Sequence, residues 1–194
     1  MARPGARRNL FREAAERGYL VRNQQGAPYL IPNTDFSAGM IDLTNPAAVA
    51  WYKEILRSEV LGAGAAGYMA DFGEALPYDA QLHSGEPAAR FHNQYPEAWA
   101  RMNRQVSDAS GHGDELLFFM RSGFRQSPRD ATLFWLGDQL VSWDAHDGIK
   151  LCTVCQPAVV AFKLMREGSP ADRLRPRDHR WAFAGYADAE VPDA

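Results

Sequence analysis

The apolar and polar positions divide the chain into alternating helical and extended stretches. In "RRNLFREAAER" (7–17), Leu10, Phe11, Ala14 and Ala15 share one face of a helix, and Gly18 ends it. "YLVRN" and "PYLI" are short extended pieces around a turn at "QQGAP". "GMIDLTNP" passes from a short strand into a helix start, where Thr44 or Asn45 can cap and Pro46 is tolerated in the first turn. Helix 46–61 follows, with Val49, Tyr52, Leu56 and Val60 at helical spacing. A second long helix, 96–110, opens with Pro96 and directs Trp99, Met102 and Val106 inward. Between and after these helices lie three short apolar runs, 67–71, 116–120 and 132–137, and a long polar loop over 75–95.

Helices that alternate with such runs predict an α/β fold. Strands buried on both faces read as continuous apolar segments, as in parallel sheets. Each run ends in a charged residue: Asp71, Arg121 and Asp138. In a (β/α) barrel, and more weakly in a doubly wound sheet, chemistry gathers at the C-terminal ends of the strands. Any strand that leaves a core also ends in polar residues, so the pattern alone does not assign a reaction. The Gly-rich turn "GAGAAG" leads into a strand rather than a helix N-terminus, which makes it a tight connection and not a phosphate cradle. Beyond "SWDAHDGIK" the periodicity fades. One amphipathic helix, 158–166, is possible, and the rest of 151–194 reads as loop or disorder.

Composition narrows the class. At 194 residues the chain suits one domain, and 46% hydrophobic with 23% charged residues is ordinary for a globular protein. A net charge of −3 carries no electrostatic footprint for nucleic acid. No apolar run approaches the roughly 18 residues of a membrane span. The N-terminal segment has basic residues but no apolar core or cleavage site, so no secretory signal is read and a cytoplasmic location is expected. Cys152 and Cys155 form "CTVC", half of a zinc or redox motif; His146 and His179 do not complete a ligand pattern, so two unrelated thiols are expected.

The tripeptide Asp71-Phe72-Gly73 also occurs in protein kinases, where the Asp holds Mg²⁺. No G-x-G-x-x-G or H-R-D precedes it here and no A-P-E follows, so the kinase reading lacks its context. Two acids at neighbouring strand ends, with an Arg between them in sequence, fit glycoside hydrolysis instead. One carboxylate attacks and one carboxylic acid protonates the leaving oxygen. Tyr68, Phe72, Trp135 and Trp143 can wall a sugar pocket or simply fill a core.

"GMIDLTNPAAVAWYKEIL", "GYMADFGEALPYDAQLHSG", "HNQYPEAW", "FFMRSGF" and "FWLGDQLVSWDAHDG" occur in the order and approximate spacing of glycoside hydrolase family 31. Within it they look most like the branch that contains sulfoquinovosidases and related α-glucosidases, over roughly residues 7–150. The resemblance implies a retaining hydrolase of α-glucosides or sulfoquinovosides, with a carbohydrate substrate and no metal or cofactor. By resemblance Asp71 is the nucleophile, Asp138 the general acid/base, and Arg121, Trp135 and Trp143 line the sugar pocket, while His92 and Asn93 fall in the family's "HN" motif with a structural or supporting role. Glu74, close after Asp71, is either a like-charged neighbour that tunes it or a partly solvated loop carboxylate.

The same resemblance implies a partial (β/α)8 TIM barrel: about strands four to six with their helices over 1–150, then an irregular, non-family tail over 151–194 of disordered or frameshifted character. The "HSDIGG"-like run that follows strand six in the family is missing. A fragment with open barrel edges is therefore expected, one that self-associates and has little activity alone. The competing expectation is a non-catalytic barrel remnant, or a fragment that binds carbohydrate or a partner. A doubly wound module without sugar chemistry would require the long motifs to be coincidence.

Overall fold

The structure is a computed structural model that describes residues 8–33, 36–111, 113, 115–131 and 133–134, and the backbone of 180–184. Helix α1 (Leu10–Glu16) begins where the Asn9 side chain accepts a hydrogen bond from Arg12 N at 2.9 Å, and ends at Gly18, whose φ of +69° reverses the chain. Strands β1 (Leu30–Pro32) and β2 (Ser37–Gly39) form a short antiparallel pair, with Ile31 opposite Ala38. Of the two possible caps for α2 (Pro46–Ile55), the structure selects Asn45: its Oδ1 accepts from Ala47 N at 3.0 Å and Ala48 N at 3.4 Å.

The helix expected over 46–61 changes character halfway. After Ile55 it widens into π-helical turns over Leu56–Leu61. Two local causes are visible. Ser58 Oγ donates to Glu54 O at 2.8 Å, competing with the backbone ladder, and Gly62 N closes on Arg57 O at 2.9 Å. Only glycine fits that closure, since a Cβ at Gly62 would stand 2.3 Å from Ser58 O.

Strand β3 (Ala65–Ala70) leads to the loop expected over 75–95, which is less irregular than its sequence implies. Helix α3 (Ala88–Phe91) forms one turn within it, because Pro87 sets the backbone and Ala88 and Phe91 bury together. A 3₁₀ turn, His92–Gln94, then joins α4 (Tyr95–Ala109). Trp99, Met102 and Val106 are buried on α4 as expected, and Tyr95 donates from its hydroxyl to Ile41 O at 2.9 Å. Strand β4 (Leu117–Met120), the one-turn helix α5 (Ser127–Asp130) and β5 (Leu133–Phe134) complete the order up to residue 134.

β3, β4 and β5 are parallel neighbours. Tyr68 pairs with Phe118, Ala70 with Met120, and Met120 with Phe134. These residues share one face, and all are buried. α2 and α4 cover it: the Tyr52 and Trp99 rings lie 5.6 Å apart, and Tyr68 stacks on Phe118 at 6.0 Å. On the other face Met69, Leu117 and Phe119 are only half-buried and Leu133 is 41% exposed. Burial on both faces, expected from the continuous apolar runs, is therefore not what the described residues show. The helices seal one side of the sheet, and the described residues do not form a closed barrel.

The second departure concerns the tail. A strand β6 (Arg180–Ala184) pairs parallel to β3 on the edge away from β4, giving the order β5-β4-β3-β6. "RWAFA" alternates aromatic and small residues at strand spacing, but its Arg- and Pro-rich surroundings mask that signal. The helix considered for 158–166 and the two cysteines lie outside the described residues.

Candidate active site

The strand register assembles the site. β3 and β4 run parallel with Ala70 beside Met120, so one more step places Asp71 beside Arg121 on the Met69–Phe119 face. Arg121 Nε lies 3.6 Å from Asp71 Oδ1. That is within ion-pairing range but longer than a hydrogen bond. Asp71 Oδ1 also accepts from the backbone N–H of Phe72 at 2.7 Å. The sequence-predicted nucleophile and sugar-pocket arginine are thus in direct electrostatic contact, each about one-fifth exposed.

The backbone after Asp71 turns through two left-handed residues, Phe72 at φ +58° and Gly73 at φ +102°. A non-glycine residue in that region costs free energy, and such strain concentrates at functional sites. The turn is held from two sides. Ser122 Oγ donates to Phe72 O at 2.5 Å, and Trp99 Nε1 donates to Ala70 O at 3.3 Å. Gly73 is wedged between the same two side chains: a Cβ there would sit 2.7 Å from Ser122 Oγ and 3.2 Å from Trp99 Cδ1. Ser122 and Trp99 are therefore part of the site's construction. Trp99 was legible only as core, and Ser122 only as a residue next to Arg121.

The turn brings Glu74 back over the strand ends. Arg121 Nη2 donates to Glu74 Oε1 at 2.6 Å, and the guanidinium carbon stands 4.0 Å above the Phe72 ring centroid. Phe72 is thus neither simple core nor simple pocket wall; it is the platform under Arg121. Arg121 Nε is buried and makes no hydrogen bond. A buried donor in that condition costs roughly 1–3 kcal/mol until something accepts from it.

His92 does not reach this cluster. Its Nδ1 pairs with Leu76 O at 2.6 Å and its ring stacks on Tyr78 at 4.2 Å, so it braces the loop after Asp71. Asn93 is exposed on the same 3₁₀ turn and is not brought to Asp71 or Arg121. A loop anchor that sequence reasoning missed is Asp42, which is 3% exposed. It accepts from Thr44 N at 2.9 Å, from Thr44 Oγ1 at 2.6 Å and from His83 N at 2.6 Å, tying the loop to the start of α2. Its only sequence signal is an Asx-type position before the helix cap. Asp138, Trp135 and Trp143 lie outside the described residues. Among the described residues no group of three or more His, Cys, Asp or Glu side chains gathers to hold a metal ion, and no helix is long and apolar enough to cross a membrane.

Beneath the site, burial makes two phenols weaker acids: the pKa of Tyr52 is pushed up to about 12, and that of Tyr68, three residues before Asp71, is also raised. Both stay neutral and contribute packing, not charge.

Comparison with known proteins gives a consistent result. The chain is 43% identical over 142 residues to a sulfoquinovosidase of Escherichia coli, covering 73% of this chain and 21% of that one. It is 40% identical over 141 residues to a sulfoquinovosidase of Agrobacterium fabrum, covering 72% and 21%. Among solved structures, a sulfoquinovosidase from E. rectale in complex with an aza-sugar inhibitor superposes with a TM-score of 0.68 at 41% identity, again over 72% and 21%. The chain thus spans about a fifth of the length of these relatives. Residues 2–159 match the glycosyl hydrolases family 31 TIM-barrel domain, and the chain belongs to that family.

Proposed function

We propose that this chain carries the catalytic strand ends of a retaining α-glycoside hydrolase, acting on an α-glucoside or a sulfoquinovoside. The observation that carries the reading is Asp71 beside Arg121 at the C-terminal ends of adjacent parallel strands, followed by a strained turn. β3, β4 and β5 then correspond to barrel strands four, five and six, and 1–150 to a partial (β/α)8 barrel. The family match ends at residue 159, within the tail expected from 151 onward, and β6 is the described piece beyond that match. The names of the sulfoquinovosidase relatives favour the sulfonated sugar as substrate class.

In this mechanism Asp71 attacks the anomeric carbon from one face while Asp138 protonates the departing oxygen, forming a glycosyl ester. Water deprotonated by Asp138 then releases the sugar with its configuration retained. Arg121 keeps a positive charge beside Asp71, which favours the ionised form the attack needs. Its buried, unbonded Nε–H is a donor for a sugar hydroxyl. Trp135 and Trp143 would border the pocket.

Covalent labelling tests the reading. An α-configured cyclophellitol-type reagent should add its mass at Asp71 and not label the Asp71→Asn variant. Labelling elsewhere, or at the same rate in Asp71→Asn, would remove Asp71 from the mechanism. A second reading, a non-catalytic fragment that binds sugar or a partner, is favoured by the half-exposed sheet face and the outer strands β5 and β6. It predicts sugar binding or self-association through those strands without any label at Asp71, and sedimentation alongside the labelling separates the two.

A further inference from the structure

We propose that Glu74 is a positioning residue: it holds Arg121 short of Asp71, so that the Arg121 Nε–H stays available to substrate. The inference rests on the glycosidase reading above and adds a role for a third charged group.

The geometry poses a question that the Asp71–Arg121 contact alone does not answer. Arg121 Nε is buried, has no hydrogen-bond partner, and lies only 3.6 Å from a carboxylate oxygen. A shift of about 0.7 Å would make an ordinary N–H···O bond. A buried cationic donor beside an anionic acceptor closes such a gap unless something opposes it. Two contacts oppose it here. Glu74 Oε1 takes Nη2 at 2.6 Å, a short charge-assisted bond on the other end of the guanidinium. The Phe72 ring, fixed by its left-handed backbone, supports the guanidinium from below at 4.0 Å. With one nitrogen fixed and the plane supported, the fork cannot rotate into a two-point grip on Asp71.

The consequence is chemical. An arginine that gripped Asp71 through both nitrogens would stabilise the carboxylate as an ion and lower its nucleophilicity. It would also occupy the donor that a sugar hydroxyl needs. Glu74 is 46% exposed, so it sits at the rim with water around it and offers its charge to Arg121 at little desolvation cost. The sequence Asp-Phe-Gly-Glu is then one device: the acid, the platform, the reversal and the holding carboxylate.

The test uses the full 194-residue chain and reads the Asp71 carboxylate directly, by ¹³C NMR titration, in wild type, Glu74→Ala, Glu74→Gln, Arg121→Gln and the Glu74→Ala/Arg121→Gln double variant. Glu74→Ala is expected to lower the Asp71 midpoint by about one pH unit, because the released guanidinium closes on it. Glu74→Gln keeps an oxygen acceptor for Nη2 and should lower it by less. With Arg121 already replaced, Glu74→Ala should move the midpoint by no more than a few tenths. An equal shift with and without Arg121 would overturn the proposal, since Glu74 would then act through its charge alone; so would no shift in Glu74→Ala. Labelling by the cyclophellitol-type reagent is followed in parallel, and Glu74→Ala should react about tenfold more slowly than wild type. Failure of wild type to label Asp71 would defeat the glycosidase reading, and the titration cycle would still decide whether Glu74 holds the arginine.

Discussion

Two arginine–carboxylate clusters in this chain are built from the same residue types and come out differently. At the start of α1, Arg8 gives Nε and Nη2 to Glu13 at 2.8 and 3.1 Å and Nη1 to Glu59 at 3.0 Å. Glu13 also accepts from Trp51 Nε1 at 2.8 Å and pairs with Arg17 at 3.0 Å. The Arg8 head is 43% exposed, and the backbone beneath is a regularly capped helix. At the strand ends Arg121 is 20% exposed, spends one nitrogen on Glu74, and leaves Nε buried without a hydrogen bond over a left-handed turn. The first cluster has its donors and acceptors matched, as a structural network should. The second carries an unmet donor and a strained backbone that Ser122 and Trp99 must hold. Proteins tolerate that combination where a ligand is to supply the missing partner.

The comparison can be broken most severely at Gly73. Gly73→Ala places a Cβ 2.7 Å from Ser122 Oγ on a backbone at φ +102°, where an L side chain is itself strained. A loss of about 3 kcal/mol in urea unfolding is expected. The control is Gly26, also left-handed at φ +79° but with nothing within 4 Å of a Cβ. Gly26→Ala should cost about 1 kcal/mol, the conformational part alone. Equal losses at the two sites would mean that Gly73 is not wedged between Ser122 and Trp99.

Glu13 gives the next effect, and a pH signature with it. The Arg8 hydrogen bond, then those of Trp51 and the charges of Arg8 and Arg17, hold the Glu13 carboxyl below its ordinary value of 4.5, against the opposing effect of burial. A carboxyl lowered in the folded state contributes stability that is present above the unfolded value and lost as pH falls through the folded one. Glu13→Gln should therefore cost about 1.5 kcal/mol at pH 7. The gap to wild type should narrow as pH drops below 4.5. Urea midpoints measured across pH for both proteins check this; a gap that stays constant into acid would show that the charge on Glu13 contributes nothing.

These two regions were not equally legible in the sequence. Asp71 and Arg121 could be read because each ends an apolar run, and parallel strands gather their C-terminal ends. The cap of α2 was narrowed to Thr44 or Asn45 by residue type, and the buried face of α4 followed from its period, whereas the Asn9 cap went unread because the helical pattern was run back to Arg7. The path after Asp71 could not be read: no propensity rule assigns Phe72 a positive φ, and without it Glu74 does not return to Arg121. α3 and α5 are single turns, too short to show a period. The widening over Leu56–Leu61 depends on Ser58 and Gly62 acting together, which helical spacing does not reveal. The half-exposed sheet face was misjudged because an apolar run looks the same whether one side or both sides are covered.

The smallest expected effect is also the sharpest division between the clusters. Arg121→Gln removes a charged hydrogen bond to Glu74 and a contact with the Phe72 ring, which together contribute about 2 kcal/mol. It also removes a buried N–H with no hydrogen bond and the burden of burying a guanidinium, which cost about as much. Glu74, 46% exposed, is left with water as its partner, and Asp71, 22% exposed, loses a 3.6 Å charge contact but keeps the Phe72 N–H and access to water. The two sides nearly cancel, so the variant should unfold within about 0.5 kcal/mol of wild type. Arg8→Gln has no such compensation, because each of its three guanidinium nitrogens has an acceptor, and it should lose about 1 kcal/mol despite its exposure. An arginine that can be removed without loss of stability, while labelling of Asp71 falls, is retained for the ligand and not for the fold. A loss at Arg121 larger than that at Arg8 would reverse the comparison and make the strand-end cluster the structural one.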